Sequence, residues 1–217
     1  MAFFKGEIRS SVLKMNTSLN VILPYDYVEK NAKTPCKTVY LLNVEWLARR
    51  FGVAFIMPEV QRSCYVNMKF GMKYYDYITK ELPAICGEMF NISRLPQDTF
   101  VIGQSMGGYG AMKWFLNDLE KFGGVGTLSG SFDLQKVVEN NPDLADEFTA
   151  LFGQSLVIGE ENDVFEIAKK SVVRDKKIYI ACGTEDNFIA DSEKLKAIFD
   201  KNGTQAKYNF ESGCHNW

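Results

Sequence analysis

Three residues bring a definite chemistry to this chain: Ser105, Asp186 and His215. Ser105 lies in Thr99-Phe-Val-Ile-Gly-Gln-Ser-Met-Gly-Gly-Tyr-Gly-Ala111, where a β-rich run breaks into Gly103-x-Ser105-x-Gly107 and a helix-forming segment follows at once. That layout predicts a nucleophile elbow, a serine on a sharp strand-to-helix turn. The flanking glycines let strand and helix approach closely, and the helix N-terminus beneath the hydroxyl favours negative charge. The competing reading is a glycine-rich turn without chemistry.

A serine needs a base, and the base needs an orienting group. His215 is the one histidine among 217 residues, in Glu211-Ser-Gly-Cys-His-Asn-Trp217 just after an expected strand. Taken alone it reads as a surface histidine near a terminus; with the elbow upstream it reads as the base. Asp186 follows Ile178-Tyr-Ile-Ala-Cys-Gly183 at a strand's C-terminal end, where open α/β sheets carry their site loops. Glu185 competes for the orienting role, Asp191 is more remote, and a turn or N-cap aspartate is the bland alternative. A Cys214 nucleophile is disfavoured, because neighbours in an extended segment point apart. The chain order Ser105, Asp186, His215 is that of α/β-hydrolases.

The elements that must position these residues alternate. Glu7–Met15 and Ser18–Leu23 read as antiparallel strands joined through Asn16-Thr17. Lys37–Leu42, Val53–Met57, Phe100–Ile102, Val125–Leu128 and Lys177–Cys182 read as buried strands, and Ala206–Phe210 as a last short one. Helices are expected over Glu45–Phe51, with Gly52 as its stop, over Met72–Phe90, over Ala111–Leu116, and over Ser192–Lys201 before Gly203. This predicts one α/β domain over 1–217, a mostly parallel central sheet with antiparallel N-terminal strands and helices on both faces. Residues 131–171 are a candidate lid over the sheet's C-terminal edge.

Composition narrows the function. An apolar content of 46% with 24% charged residues is that of an ordinary globular chain. The net charge of -2 and the lack of a Lys/Arg cluster give no reason to expect a nucleic-acid partner. No apolar run has membrane-spanning length, and the charged N-terminus lacks a signal-peptide core. Five scattered cysteines fit reduced thiols and a cytoplasmic location. No zinc-type spacing is present, a metal or other cofactor is not required, and Gly107-Gly-Tyr-Gly110 lacks the context of a nucleotide-binding loop.

Gly-Gln-Ser105-Met-Gly-Gly-Tyr-Gly-Ala, Cys-Gly-Thr-Glu-Asp186-Asn-Phe and Gly-Cys-His215-Asn-Trp together resemble the tributyrin esterase branch of the esterase D family. That group of α/β-hydrolases includes S-formylglutathione hydrolases and feruloyl and acetyl esterases. The resemblance runs over nearly the whole chain, through Met57-Pro58, Phe70-Gly-Met-Lys-Tyr-Tyr and Glu81-Leu-Pro83. It implies a serine carboxylesterase for short acyl esters, with Ser105 as nucleophile, His215 as general base and acid, and Asp186 as orienter. It also implies a small-molecule ester substrate and a homo-oligomer. A thioesterase of the S-formylglutathione hydrolase type is the near alternative.

Two departures from the family pattern bear on activity. The elbow supplies one oxyanion donor, the Met106 backbone N–H. The second is expected after the third strand, where Val39–Leu42 runs straight into Asn43-Val-Glu-Trp and a glycine-rich loop is missing. Asn43 is the candidate substitute. The chain also stops at Trp217, without the helix that anchors the histidine loop in the family. Together these departures carry the third alternative, a catalytically impaired α/β-hydrolase-fold protein.

Overall fold

The computed structural model describes residues 2–24, 35–42 and 52–215. Among the described residues eight strands form one sheet: β1 (Ala2–Arg9), β2 (Asn16–Leu23), β3 (Thr38–Leu42), β4 (Ala54–Pro58), β5 (Thr99–Gln104), β6 (Gly124–Leu128), β7 (Lys177–Gly183) and β8 (Lys207–Glu211). Their spatial order is β1-β2-β4-β3-β5-β6-β7-β8. The pairs β1–β2 and β2–β4 are antiparallel and every later pair is parallel, as the alternating pattern predicts.

The first hairpin differs in its turn. Residues 10–15, expected to extend the first strand, leave the sheet, and Lys14 takes φ 57°. Ser10 accepts the Leu13 N–H at 2.9 Å, and the Glu81 carboxylate accepts the Ser11 N–H at 2.6 Å and both serine hydroxyls. Short polar side chains that bond nearby backbone favour turns over ladders, so two adjacent serines end the strand.

The helices are α1 (Leu82–Met89), α2 (Met106–Asn117), α3 (Leu134–Asn140), α4 (Ala145–Phe152), α5 (Val164–Lys170) and α6 (Ile189–Asn202). The helix expected over Met72–Phe90 is present but widened: a short α turn at Tyr74–Asp76 and a π turn at Tyr77–Glu81 precede α1. Pro83 explains the widening. It has no N–H for the Thr79 carbonyl and would crowd it in a regular helix. The Leu82 N–H bonds Tyr77 instead, and the freed Thr79 carbonyl accepts Lys121 Nζ at 3.5 Å. At the other end of the chain α6 begins earlier than expected, and Gly203 ends it in the left-handed conformation at φ 78°.

Strand alternation sorts the core into two faces. Tyr40, Ile56, Val101, Val125, Ile178 and Ile180 turn one way and pack with Leu82, Tyr109, Phe115, Phe165, Leu195 and Phe199 of the helices. Val39, Leu41, Phe55 and Met57 turn the other way and meet Ile22, Phe100 and Ile102 of the sheet itself. On that face Val39, Phe100, Ile102 and Tyr179 line an open hollow of about 760 Å³. The helix expected over Glu45–Phe51 lies outside the described residues, as do Asn43 and Trp217. Among the described residues no helix is long and apolar enough to cross a membrane.

Candidate active site

The site forms where the parallel strands β5, β7 and β8 end. Beyond β5, Ser105 has φ 53° and ψ -123°, a strained conformation worth about 1–3 kcal/mol for a residue with a side chain. Backbone bonds hold it there. The Ser105 N–H donates to Leu128 O at 2.9 Å, and the N–H groups of Tyr109 and Ser131 both donate to Ser105 O at 3.2 Å. The glycines permit the geometry: a Cβ on Gly103 would fall 2.0 Å from Gly107 O, and one on Gly108 would fall 3.0 Å from the Gly130 Cα. Met106 opens α2, so its N–H has no acceptor within the helix.

β7 and β8 make a second close crossing. A Cβ on Gly183 would lie 2.0 Å from Gly213 O, and Gly213 itself takes φ 155°. The Glu185 N–H donates to Gly213 O at 3.0 Å, and the Glu185 carboxylate accepts the Gly213 N–H in return. The Ser212 hydroxyl adds a bond to Glu185 Oε1 at 3.3 Å. Glu185 therefore grips the loop that carries His215 rather than the imidazole.

The ring itself spans the other two residues. His215 Nδ1 lies 2.9 Å from Asp186 Oδ2, and Nε2 lies 3.0 Å from Ser105 Oγ. The Asp186 side chain is fully buried, while that of His215 is one-third exposed. Burial pushes the Asp186 carboxyl up, but the Phe188 N–H at 2.8 Å, the Ser129 hydroxyl and His215 together hold it below the ordinary carboxylate range. An ionised Asp186 only accepts, so Nδ1 carries the proton and Nε2 presents a lone pair to the Ser105 hydroxyl. The Phe188 ring meets the imidazole edge-on at a centroid distance of 5.0 Å and limits its rotation.

Ser105, Met106 and Gly107 open into a cavity of about 640 Å³. One wall is the 59–73 loop, through Glu59, Val60, Gln61, Arg62, Cys64 and Tyr65; the facing wall is apolar, from Val137, Leu144, Phe148 and Leu151. Arg62 reaches across to Glu147 at 2.8 Å. Backbone bonds from Lys69 to Leu151 O and from Phe70 to Ala150 O, both 2.9 Å, join the same two segments.

The expected residues Ser105, Asp186 and His215 thus meet, with Met106 beside them. Asp191 instead accepts the Asp133 N–H at 3.0 Å, and Cys214 is exposed. Asn43 lies outside the described residues. Sequence reasoning passed over Ser129, at φ 50° beyond β6, and Phe188; both follow strand ends, which is the one signal that points to them. Among the described residues no three His, Cys, Asp or Glu side chains stand together as metal ligands.

This relay at the carboxyl ends of the strands has relatives. Residues 58–217 match the family described as "Putative esterase". The chain belongs to this esterase family. An acetyl esterase from Caldicellulosiruptor saccharolyticus is 27% identical over 248 residues, covering all of this chain and 93% of the relative. That stretch is longer than the 217 residues here, so the acetyl esterase carries residues without a counterpart in this chain. Among solved structures, FphF, a fluorophosphonate-binding serine hydrolase of Staphylococcus aureus, is 29% identical with a TM-score of 0.84, covering 99% of this chain and 92% of that one. The S-formylglutathione hydrolase FrmB of Staphylococcus aureus is 27% identical with a TM-score of 0.78, over the same shares of the two chains. The fold is the α/β-hydrolase fold, and the chain is a carboxylic ester hydrolase of the serine type.

Proposed function

We propose that this esterase hydrolyses short-chain acyl esters through an acyl-enzyme on Ser105. The continuous relay from Asp186 through His215 to Ser105 carries the reading. Ser105 Oγ attacks the ester carbonyl while His215 Nε2 takes its proton, and Asp186 stabilises the imidazolium. The Met106 N–H, at the start of α2, receives the developing oxyanion. His215 then returns the proton to the departing alcohol. In the second half water attacks the acyl-enzyme as His215 takes its proton, His215 then returns that proton to the departing Ser105 Oγ, and the free acid leaves.

The chain acts as one α/β-hydrolase domain in which residues 131–171 cap the site. The lining by Val137, Leu144, Phe148 and Leu151 supports that role. Its substrates are small molecules, and reduced cysteines fit work in the cytoplasm. The open apolar hollow at Val39, Phe100 and Ile102 supports a homo-oligomer, which light scattering checks.

Likeness to FrmB favours a second reading, a thioesterase that uses the same relay on a thioester. Incubation with p-nitrophenyl acetate, p-nitrophenyl butyrate and S-formylglutathione separates the two. Higher kcat/KM on the oxygen esters supports the proposal, and a preference for S-formylglutathione replaces it with the second reading. No turnover of any of the three refutes both.

A further inference from the structure

Lys113 is the one buried lysine or arginine among the described residues, at 2% exposure, and the relay does not use it. It stands on α2, two turns beyond the elbow. No carboxylate comes within ion-pair distance of it among the described residues. Its Nζ lies 2.6 Å from Asn162 Oδ1 and 3.3 Å from the Tyr65 carbonyl, and it sits over the Tyr75 ring at 4.2 Å. The Tyr109 ring is 5.8 Å away on the same helix.

Of the two acceptors, Tyr65 lines the Ser105 cavity, and Asn162 lies in the segment that follows the facing wall. Tyr65 ends the run of left-handed residues at Gln61, Cys64 and Tyr65, with φ of 52°, 48° and 53°. Its ring lies against α2 so tightly that a Cβ on Gly110 would come within 2.5 Å of it. Asn162 follows the apolar wall in the chain, and the Tyr109 hydroxyl donates to its carbonyl at 2.8 Å. One nitrogen therefore ties the nucleophile's helix to one wall and to the segment that continues from the other. Unsatisfied, either acceptor would cost desolvation with nothing in return.

We propose that Lys113 is a positioning residue for substrate binding: its side-chain nitrogen holds the Tyr65 loop and the Asn162 segment against α2, and so sets the shape of the acyl-ester cavity while leaving the relay alone. The proposal rests on the esterase reading of Ser105.

The site also responds to protons. Burial pushes Lys113 down to about 7, against the pull of the Glu161 carboxylate and of Cys64. The groups that face it are Cys64 and Tyr65 from the loop, Tyr75 from the turn before α1, Tyr109 from α2, and Glu161 beside Asn162. Burial pushes the Cys64 thiol up to about 11 and raises all three tyrosines, so none of these thiol and phenol groups ionises near neutrality beside Lys113. Losing its proton leaves the amine two donors for its two acceptors but removes its attraction to the Tyr75 face and to Glu161.

The test is steady-state hydrolysis of p-nitrophenyl butyrate from pH 6 to 9 by wild type, Lys113→Met, Asn162→Ala and Asn162→Asp, beside end-point labelling with a fluorophosphonate. Lys113→Met and Asn162→Ala are expected to raise KM about tenfold, to change kcat less than about threefold, and to label fully at Ser105. A step in wild-type KM near pH 7 should vanish in Lys113→Met and move up by about one pH unit or more in Asn162→Asp, where a carboxylate faces the amine. Unchanged KM and an unchanged pH profile in the variants would overturn the proposal. So would a fall in kcat at constant KM. If Lys113→Met does not fold, the two Asn162 variants decide on the same readouts. Failure of wild type to label would instead strike the esterase reading itself.

Discussion

The relay and the cavity walls are built in opposite ways. Ser105, Asp186 and His215 sit at the ends of three strands, β5, β7 and β8, whose ladders are regular and whose loops cross at glycine pairs. The walls come from the 59–73 loop and the 137–151 segment, which pair with each other through two backbone bonds and the Arg62–Glu147 bridge. Lys113 adds side-chain anchorage to the helix below. Chemistry is thus placed chiefly by strand ends and glycine crossings, and the binding cavity by contacts between loops and by side-chain anchorage. Substitutions in the first region should strike kcat, and those in the second should strike KM.

The largest effect belongs to Ser105→Ala, expected to lower kcat by about a millionfold, to the background of binding and oxyanion stabilisation. Residual turnover within a hundredfold of wild type would break the assignment. Asp186→Asn is next, with a loss in kcat of about 10⁴-fold because the wrong imidazole tautomer faces Ser105. Gly183→Ala tests the backbone side of the comparison without touching a reacting group. Its Cβ must displace Gly213 and the histidine loop, and a misplacement near 1 Å costs about a hundredfold in kcat. Arg62→Ala is the smallest: a side chain 71% exposed in an ion pair worth about 0–1 kcal/mol should move KM by only a few-fold.

Stability against pH sharpens the same contrast. Lys113 titrates near 7 in the fold against an ordinary 10.5. Between those values the unfolded chain holds a proton that the native one has released, so stability should rise with pH across that window. Thermal melts at pH 7, 8 and 9 check this: the rise should flatten in Lys113→Met, and an equal rise in both proteins would contradict the assignment.

What could be read beforehand follows the same division. The elbow was legible because strained backbone demands glycine at fixed offsets around Ser105, and the relay because His215 is the only histidine and Asp186 follows a strand. The parallel sheet was legible in its alternating apolar runs. The turn at residues 10–15 was not, since Val12 and Leu13 are apolar enough to continue a strand and only the remote Glu81 carboxylate reveals the turn. Nor was the π turn, although Pro83 was its visible cause. Arg62, Glu147, Ser129 and Lys113 act through partners tens of residues away, and no local spacing announces such partners.

Intact-mass analysis after fluorophosphonate treatment tests the central claim, that the Asp186–His215–Ser105 relay is an assembled nucleophile. A single adduct is expected on the wild-type chain, mapped by peptide sequencing to Ser105 and absent from Ser105→Ala. An unmodified wild-type chain, or an adduct that persists in Ser105→Ala, would contradict it.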